Sequence, residues 1–563
     1  MDIKLAVLAN GDDVALAWKP TIPIPNCYGF AIERRRNGGA VEHLKNRVST
    51  TATNEPVNEP SRVSPFKRVS WTDHAVNAGD SVEYRVLAML GSAPPFNEGP
   101  TSDWSKPVTL THDCGDISVF FNRGIVLSQF VARIMKERGW TAADIKKNAK
   151  LVDGQLRRFL SGDLRVALVN MLEEAAVNLN CHVYAALFEL TDEELIARLV
   201  DLGPRLHIVL ANGAVKAKSQ DENAEARKAL RAAACDVSDR FCAPSFLGHN
   251  KFVVLTERNK PRRVWTGSGN WMPTGLCTQV NNGVLIESSE ISQIYLDAWG
   301  RLRDAGSAKG SNLLDGNTVQ PAPSAKLKDG SMVACRFTAV RGGIDLDELL
   351  EVIDSAKKSI LFTMFMPGEQ IFNAVSGKQD TLFVRGVVNT FPRPKTAAKP
   401  EDETDETEVT LMSGKEASKS DTTFKLKVVE PQSIRFPIAN WAQEVTKQQF
   451  RASIGHSIVH SKVLVIDAMG KNPIVVTGSH NFSKTASSSN DENFVVIRGN
   501  SKLAQAYAVN CLAVYDHYRW RQYVAQSLAQ KKKPWTHNTA TPNWLENYLK
   551  SPGRKELLDF FGL

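Results

Sequence analysis

In the first 112 residues, apolar and polar positions alternate in short runs that are separated by Gly, Pro and Asn. The runs at 14–18, 28–33 and 82–88 show this alternation clearly. Alternation places the apolar side chains on one face of a strand, and turn residues at short intervals make consecutive strands fold back on each other. We therefore predict an all-β sandwich over residues 1–112.

After residue 112 the pattern changes to helical periodicity interrupted by short, fully apolar runs. For 113–310 the predicted elements are helices at 166–172 and 186–200 and strands at 182–184 and 206–210, with His207 in the core. For 331–530 they are a helix at 346–353 and strands at 359–365 and 381–388. Strands that alternate with helices predict an α/β sandwich in each of these two regions.

Three stretches have the composition of connections rather than of core. Residues 305–330 are rich in Gly, Ser and Pro and are predicted to link the two α/β regions. Residues 392–423 contain an acidic run and predict a charged insertion in the second region. Residues 531–563, which begin with basic and aromatic residues, are predicted to be a C-terminal tail.

The two α/β regions carry the same polar motif. The first copy consists of His249, Lys251, Gly267, Ser268, Asn270 and Asn282, and the second of His460, Lys462, Gly478, Ser479, Asn481 and Asn493. The spacings from the His to the Ser and to both Asn residues are identical in the two copies. A single His, Lys or Gly-Ser turn would be an ordinary solvated residue or loop, but a repeat without gaps indicates a shared function.

The local pattern places these side chains together. In each copy, His-x-Lys precedes four apolar residues, which predicts the start of a buried strand with the His and Lys on one face. The next strand ends in a Gly-Ser turn that presents an Asn. Two imidazoles and two ammonium groups at one sheet edge predict an anion-binding site.

This motif resembles the signature of the phospholipase D superfamily, His-x-Lys-x4-Asp followed by Gly-Ser-x-Asn, over roughly residues 150–525. The second copy matches it fully, including Asp467, whereas the first copy has Thr256 at that position. The resemblance implies a duplicated α/β fold, one composite site and a metal-independent phosphodiesterase without a cofactor. The implied catalytic residues are His249, Lys251, Asn270, His460, Lys462, Asn481, Asp467 and Glu492.

The resemblance also implies roles for these residues. His249 attacks phosphorus to form a phosphohistidine, and His460 protonates the leaving oxygen and then activates water. The reverse assignment of the two histidines is the alternative. Lys251, Lys462 and the two motif Asn side chains hold the non-bridging oxygens. Glu492 orients one imidazole, and because the first copy has Asn281 at that position, the two histidines are predicted to differ.

A metal site and an inactive core are the competing interpretations of the motif. His456 and His460 are four residues apart, as in some zinc sites on helices, but the segment 458–466 predicts a strand and offers no third ligand. We therefore predict a site without metal. A catalytically inactive binding scaffold is the other alternative, although both His-Lys pairs are present.

Composition favours nucleic acid as the substrate, with phospholipid as the alternative. The formal net charge is +8, and a basic aromatic cluster near the C-terminus contains Arg519 and Arg521. Arginine neutralises phosphates and aromatic rings stack on bases, so these two arginines, with Ser268 and Ser479, are predicted to bind substrate. The alternative is a helix that packs its aromatic residues on the core.

The N-terminal region resembles a fibronectin type III domain, on the residues Trp18, 71–73, Gly79 and 84–86. Such a module would bind a protein partner or act as a spacer. No apolar run approaches the roughly 20 residues of a membrane span, and Asp2 stands where a signal peptide would be basic, so we predict a cytoplasmic protein. One chain holds both half-sites, which allows a monomer, with a homodimer as the alternative.

Overall fold

The computed structural model of the chain describes residues 2–51, 57–124, 154–389, 459–529 and 543–563, with a few isolated positions between them. Residues 393–423 of the predicted insertion lie outside the described residues, as do His456 and 530–536. The side chains of 520–529 also lie outside the described part. Helices and strands are numbered below in chain order among the described residues.

Residues 2–51 and 57–109 form two main antiparallel sheets around one core, together with a separate two-stranded sheet. The strands are β1 (Ile3–Ala9), β2 (Val14–Pro20), β3 (Cys27–Arg36), β4 (Val41–His43), β5 (Lys45–Asn46), β6 (Glu59–Pro60), β7 (Ser70–Asp73), β8 (Ser81–Leu90), β9 (Asn97–Thr101) and β10 (Val108–Thr109). One main sheet has the order β1-β2-β7 and the other β10-β8-β3-β4, with β9 also paired to β8, and β5 pairs with β6 in the two-stranded sheet. Trp18, Phe30 and Tyr84 bring both sheets into the same buried core, because alternating apolar positions face inward.

The first α/β region contains one mixed sheet of seven strands in the order β11-β17-β16-β15-β12-β13-β14. Its elements are β11 (Ile117–Phe121), α1 (Gln155–Val177), β12 (Cys181–Leu187), α2 (Glu193–Val200), β13 (Leu206–Ala211), α3 (Ala224–Ala232), β14 (Asp236–Arg240), β15 (Lys251–Glu257), β16 (Lys260–Gly267), α4 (Pro273–Cys277), β17 (Asn282–Ile286), α5 (Ser289–Ala305) and α6 (Ser311–Asn317). Buried residues cover both faces of this sheet.

The second α/β region contains a sheet of eight strands in the order β18-β19-β25-β24-β23-β20-β21-β22. Its elements are β18 (Ser324–Lys326), β19 (Met332–Phe337), α7 (Ile344–Asp354), β20 (Ser359–Met364), α8 (Glu369–Ser376), β21 (Phe383–Val388), β22 (Val428–Val429), β23 (Lys462–Ile466), β24 (Ile474–Gly478), α9 (Lys484–Ser488), β25 (Asn493–Arg498) and α10 (Ser501–Ala529). Helices α11 (Trp544–Lys550) and α12 (Pro552–Phe560) follow.

Apart from the edge strand β18, the two sheets have the same strand order and the same strand directions. In the first sheet β12 is antiparallel to β15 and parallel to β13. In the second sheet β20 is antiparallel to β23 and parallel to β21. The fold is therefore mixed α/β with a repeated sheet, and a core that includes residues of α5 and α10 joins the two copies.

Several predicted elements differ from the structure. Residues 305–330 are not a simple linker, since they contain α6 and β18. The predicted helix at 186–200 begins only at Glu193, because the apolar residues before it complete strand β12. His207 is not a core residue: its side chain is 22% exposed and its Nδ1 lies 2.9 Å from Asp236 Oδ2.

The end of the chain is folded rather than extended as a tail. Leu545 of α11 and Leu558 of α12 are buried in the core of the N-terminal β-domain. Trp544 Nε1 also donates a hydrogen bond to the carbonyl of Cys27. The last two helices therefore hold the N-terminal domain against the second α/β region. The basic residues at 531–533 gave no indication of this packing.

Candidate active site

The two motif histidines lie at the junction of the repeated sheets, where β15 and β23 begin. The junction is defined by a short bridge between Val280 and Val459. The backbone N–H of His460 donates to the carbonyl of Val280 over 3.0 Å. His249 and His460 are each only 5% exposed. The predicted composite site is thus built from both halves, as a buried pair of imidazoles.

Glu492 of the second half orients the histidine of the first half. Glu492 Oε1 lies 3.2 Å from His249 Nδ1. The carboxylate also accepts from Asn490 Nδ2 at Oε1, over 3.0 Å, and from the backbone N–H of Asn481 at Oε2, over 2.9 Å. Burial alone would raise the pKa of Glu492, but the His249 charge and these hydrogen bonds lower it to about 2. The ionised carboxylate therefore favours a proton on His249 Nδ1 and a lone pair on Nε2.

Asn281 of the first half orients the histidine of the second half. Its Nδ2 donates to the carbonyl of Gly275 over 2.8 Å, and Ser268 Oγ donates to its Oδ1 over 2.8 Å. These two bonds fix the amide so that Oδ1 faces His460 Nδ1 at 3.0 Å. His460 Nδ1 therefore carries a proton, and Nε2 is left with its lone pair. One histidine faces a carboxylate and the other a neutral amide.

The two motif lysines are held in equivalent ways. Lys251 Nζ donates to the carbonyl of His249 over 2.7 Å, and Lys462 Nζ to that of His460 over 2.6 Å. Phe188 packs 4.9 Å from Lys251 Nζ, and Phe365 packs 5.0 Å from Lys462 Nζ. Each ring also contacts the histidine of its own half at 4.8 Å. The sequence motif did not include these two phenylalanines, although they occupy equivalent places after β12 and β20.

Burial makes the positive charges of the site unfavourable. Burial lowers the pKa of Lys251 to about 7, while Glu492 and Glu189 oppose that decrease. Burial and the nearby Lys251 charge lower the pKa of His249 to about 4. The pKa values of Lys462 and His460 are also lowered, first by burial and then by neighbouring cations. An anion in the site would restore these charges, which is the electrostatic requirement for binding a phosphodiester.

Sulfate inhibition is expected to depend on pH through Lys251. Below its pKa of about 7 the ammonium group is charged, and above it the proton is lost. Sulfate stays a dianion across this range, so its competitive Ki should rise by up to about tenfold per pH unit above 7. Steady-state inhibition between pH 6 and 9 measures this dependence. Lys251→Met should bind sulfate weakly and show a shallower slope, whereas a flat wild-type profile would contradict the assignment.

Glu189 is a site residue that the repeated sequence motif does not include. It follows β12, is 8% exposed, and its Oε2 accepts a hydrogen bond from Asn270 Nδ2. Burial and Glu222 raise its pKa to about 7, against the effect of Lys251. The Asn270 amide nitrogen is therefore engaged by Glu189, and a bound phosphate would compete for it. A Glu after an apolar strand carries no motif, so only the fold places it here.

The remaining motif residues shape the turns around the site. The backbone N–H groups of Asn282 and Asn493 donate to Ser268 Oγ and Ser479 Oγ, over 3.1 and 3.0 Å. Both serines are fully buried, so these bonds fix the Gly-Ser turns. Asn481 donates its backbone N–H to Glu492, and its side-chain oxygen is buried without a hydrogen-bond partner. The serines therefore support the site rather than line an open surface.

The last Asn of each motif connects the two halves. Asn282 Nδ2 donates to Thr477 Oγ1 and to Tyr507 Oη, over 2.7 and 2.8 Å. Asn493 Oδ1 accepts from Thr266 Oγ1 and from Tyr295 Oη, over 2.7 and 3.1 Å. Each half thus places a Thr and a Tyr around the Asn of the other half. These reciprocal hydrogen bonds, which the sequence did not predict, set the distance between the two half-sites.

Asp467 does not belong to the site, contrary to the assignment made from its place in the signature. It lies at the far end of β23, five residues after Lys462, or about 16 Å along an extended strand. Its carboxylate accepts from the backbone N–H groups of Lys357, Lys358 and Ser359, over 3.0, 2.7 and 2.8 Å. Asp467 therefore anchors the start of β20. Thr256 donates to the carbonyl of His182 at the matching place in the first half, so its presence does not remove a catalytic group.

Asp467→Asn is expected to lower stability and leave catalysis unchanged. An amide presents one acceptor atom instead of two, so at least one of the three backbone N–H groups faces an NH2 group. The expected loss is about 1–2 kcal/mol in the free energy of unfolding. Urea unfolding measures the loss, and kcat/KM of the folded variant should remain within about twofold of wild type. A large loss of kcat at unchanged stability would show that Asp467 takes part in catalysis.

The two arginines that were predicted to bind substrate lie on α10. Arg519 forms an ion pair with Asp516 at 3.2 Å and lies over the Tyr515 ring at 5.6 Å. It lines a cavity whose lining does not include the motif histidines or lysines. The Arg521 side chain lies outside the described part of the chain. Tyr515 and Tyr518 are 2% and 3% exposed, so these two rings pack on the core and are not available for base stacking.

Within the described ranges, the group of side chains spaced closely enough to share a metal ion is Asp12, His112 and Asp163. This group lies between the N-terminal domain and α1, apart from the motif residues. His112 Nε2 is 2.7 Å from Asp163 Oδ2, and its Nδ1 is 3.0 Å from the carbonyl of Val119. Both ring nitrogens are thus engaged in hydrogen bonds. Burial lowers the pKa of His112, but the two aspartates raise it by more, so the pKa is raised overall.

Known proteins resemble parts of this chain. Residues 349–512 match the family model described as cardiolipin synthase, PLD-like domain. No curated protein sequence gives a significant match. Among solved structures, polyphosphate kinase from Porphyromonas gingivalis is similar at a TM-score of 0.38 and 10% identity, over 88% of this chain and 74% of that one.

Two further solved structures are similar over different lengths. Phosphatidylserine synthase from Haemophilus influenzae has a TM-score of 0.40 and 13% identity, over 66% of this chain and 91% of that one. Nuc from Salmonella typhimurium, a phospholipase D family member, has a TM-score of 0.20 and 23% identity, over 33% and 95% of the two chains. The family match at 349–512 includes His460, Lys462 and the turn at 478–481, so the second half of the chain contains a PLD-like domain.

Proposed function

We propose that the chain is a phosphodiesterase that cuts DNA or RNA through a covalent phosphohistidine. The observation that carries the proposal is the unequal pair of histidines. His249 Nδ1 faces the carboxylate of Glu492, whereas His460 Nδ1 faces the amide oxygen of Asn281. With the proton on Nδ1, each ring keeps a lone pair on Nε2, but only one ring has a negative partner.

This difference supports the assignment of roles. A carboxylate behind an imidazole stabilises the positive charge that develops when Nε2 attacks phosphorus. His249 is therefore the nucleophile. His460, next to a neutral amide and to Lys462, is the weaker base. Once a phosphodiester anion raises its pKa, His460 can protonate the leaving oxygen and then take a proton from the attacking water.

The reaction balances with these groups alone. His249 Nε2 forms a bond to phosphorus as the bond to the leaving oxygen breaks, and His460 supplies the proton to that oxygen. Water then attacks phosphorus and transfers its proton to His460, and the bond between phosphorus and His249 breaks. Lys251 and Lys462 hold the non-bridging oxygens during both steps. No step requires a group beyond these residues and water. The proposed reaction is therefore independent of metal.

Nucleic acid is the preferred substrate because the aromatic residues beside the Gly-Ser turns are buried. Trp271 and Phe482, which follow those turns, are each 1% exposed and pack in separate cores. They therefore offer no surface to an acyl chain. Among the helices that the structure describes, none combines the length and the apolar character needed to cross a membrane. The net charge of +8 favours a polyanion.

Phospholipid is the alternative substrate, since the family model that matches 349–512 carries the name of a lipid enzyme. A substrate panel in EDTA separates the two: single-stranded DNA, duplex DNA, RNA, and phosphatidylcholine or phosphatidylglycerol vesicles. We expect cleavage of nucleic acid, lost in both His249→Asn and His460→Asn. Release of choline or phosphatidate with intact nucleic acid would instead identify a phospholipase, and no turnover of any substrate would favour a binding scaffold.

The N-terminal domain is proposed to be a fibronectin type III-like module that binds a protein partner or spaces the catalytic halves. Support comes from its two antiparallel sheets and their shared core. The protein is proposed to act as a monomer, because both half-sites lie in one chain. Its proposed location is the cytoplasm.

A further inference from the structure

Glu189 is an acidic residue in a site whose other features favour an anion. It directly follows Phe188, whose ring contacts His249 and Lys251. Glu189 is 8% exposed, and its Oε2 accepts a hydrogen bond from Asn270 Nδ2. The Asn270 amide is one of the groups that are proposed to hold the non-bridging oxygens. A carboxylate is therefore bonded to a group that is proposed to bind phosphate.

The backbone holds Glu189 at this place independently of its side-chain bond. The N–H of Trp271 donates to the carbonyl of Glu189 over 3.1 Å, and the N–H of Thr191 donates to the carbonyl of Trp271 over 3.0 Å. The Asn223 side chain bonds to the residues directly before and after Glu189, over 2.9 and 2.8 Å. These contacts tie the segment to the residue that follows Asn270. The fold thus fixes the carboxylate at the site.

The second half has no carboxylate at the matching position. The strand pairs that contain the two motif lysines have the same register, which makes Met366 the equivalent of Glu189. A methionine side chain is neutral and offers Asn481 no carboxylate. The second sheet reaches the same strand order without an acid at this position. The repeated fold therefore does not require Glu189, which indicates a role in the site itself.

The lysines and glutamates of the site have balanced formal charges. When ionised, the two motif lysines supply two positive charges. Glu189 and Glu492 supply two negative charges. A phosphodiester adds one negative charge, which is offset by the proton that His460 needs for the leaving oxygen. A phosphate monoester is a dianion above about pH 6, so its second charge requires a second proton.

The surroundings of Glu189 limit how much it can weaken an anion. Burial and the negative charge of Glu222 raise its pKa to about 7. Lys251, the Asn270 amide and Lys462 oppose this increase. Glu189 is therefore mostly ionised at pH 8, and a ligand that forces it to take up a proton loses at most about tenfold in affinity there.

We propose that Glu189 is a specificity-determining residue that selects phosphodiester monoanions over phosphate monoester dianions. This inference rests on the proposed function, because it requires that the composite site binds phosphate. In this role Glu189 acts by repulsion of the wrong ligand rather than by attraction of the right one. Cleavage of a nucleic acid strand converts an internal diester into a terminal monoester. Glu189 therefore also favours release of that product.

Binding of two small phosphates to the full chain tests this role without requiring catalysis. At pH 8, dimethyl phosphate carries one negative charge and methyl phosphate carries two. In Glu189→Gln the charge is removed, while the amide oxygen can still accept from Asn270. Because repulsion is proportional to ligand charge, calorimetric titration should show methyl phosphate bound about tenfold more tightly than by wild type. Dimethyl phosphate should bind only about threefold more tightly.

Two further variants separate charge from hydrogen bonding. Glu189→Met copies the second half and removes both the charge and the acceptor of Asn270. It should keep the larger gain for methyl phosphate and add an equal gain for both ligands, because the amide is released. Glu257→Gln is the matched control, since Glu257 lies at the far end of β15, 3.3 Å from Arg262. The control should leave both affinities unchanged, and urea unfolding checks that each variant is folded.

Equal gains for the two phosphates in folded Glu189→Gln, or no gain for either, would overturn the specificity role. A failure of the proposed function gives a different result. In that case wild type binds neither phosphate, or Lys462→Met retains full affinity for both. Either outcome would mean that the composite site does not bind phosphate, and the role of Glu189 would fail with it.

Discussion

Replacing His249 with Asn is expected to lower kcat/KM by at least about 10⁴-fold, because the variant has no atom that can form the covalent bond to phosphorus. His249 Nε2 is the only ring nitrogen of this residue left for attack, since Nδ1 lies 3.2 Å from Glu492. A chromogenic diester such as bis(p-nitrophenyl) phosphate measures the loss by steady-state rates. No rapid release of nitrophenol should precede those rates.

His460→Asn should fail at a different step. Nitrophenol leaves without help from an acid, so the first step can proceed, while the water that must attack the phosphohistidine has no base. We expect a burst of about one nitrophenol per enzyme followed by very slow turnover. His207→Asn is a matched control in the first half, because His207 is half-buried and pairs with Asp236 outside the site.

The control should keep the wild-type rate. A burst in His249→Asn together with none in His460→Asn would reverse the roles of the two histidines. Equal, partial losses without a burst in either variant would contradict a covalent mechanism.

The second large effect is expected for Glu492→Gln. The backbone N–H of Asn481 donates to Oε2 and cannot reorient, so the amide oxygen of Gln must take that position. The NH2 group then faces His249 Nδ1, which must become an acceptor. The proton moves to Nε2, and the nucleophilic lone pair is lost. A carboxylate-to-amide change that imposes the wrong tautomer in this way costs about 10⁴ in kcat.

Rates of the Glu492→Gln variant with the same diester measure this effect, and unfolding curves show that the fold is retained. Glu348→Gln is the matched control, since Glu348 pairs with Arg336 in the same half and lies outside the site. That control should change kcat by less than about twofold. A loss for Glu492→Gln of under tenfold would mean that the carboxylate does not set the tautomer of His249.

The repeated motif predicted the composite site because its information is local. Each His-x-Lys precedes a buried strand, and each Gly-Ser turn ends the next one, so period-two geometry is enough to place these side chains. The strands at 206–210 and 359–365 were predicted for the same reason. The apolar run at 186–190 fits either a helix or a strand, so the local pattern does not distinguish the two. Pairing of β12 with β15 makes the start of this run part of a strand.

Contacts between the halves could not be predicted from either copy alone. Spacing gives no reason for Glu492 to reach His249 rather than His460, since that choice follows from how the two sheets pack. The place of Glu189 in the site could not be predicted from the repeat either. Its equivalent in the second half is Met366, so this position is not part of the repeated motif. Asp467 was misassigned because a shared signature does not say which end of a strand a residue occupies.

The charged C-terminal segment shows a different limit. Arg519 has the composition of a nucleic-acid contact, yet it lies in a cavity with Asp516 and Tyr515. Its neighbours come from residues far apart in the chain, among them Arg385 and Arg554. Composition therefore predicted the basic and aromatic character of this segment, but not that Arg519 pairs with Asp516 beside a cavity.

The location of the phosphoryl group in a trapped intermediate tests the central claim most directly. His460→Asn is mixed with the chromogenic diester, quenched in alkali to preserve phosphohistidine, and digested for mass spectrometry. The account predicts that the phosphoryl group is on the peptide that contains His249 and on no other peptide. A phosphoryl group on a different residue, or a burst of nitrophenol without any protein-bound phosphorus, would contradict it.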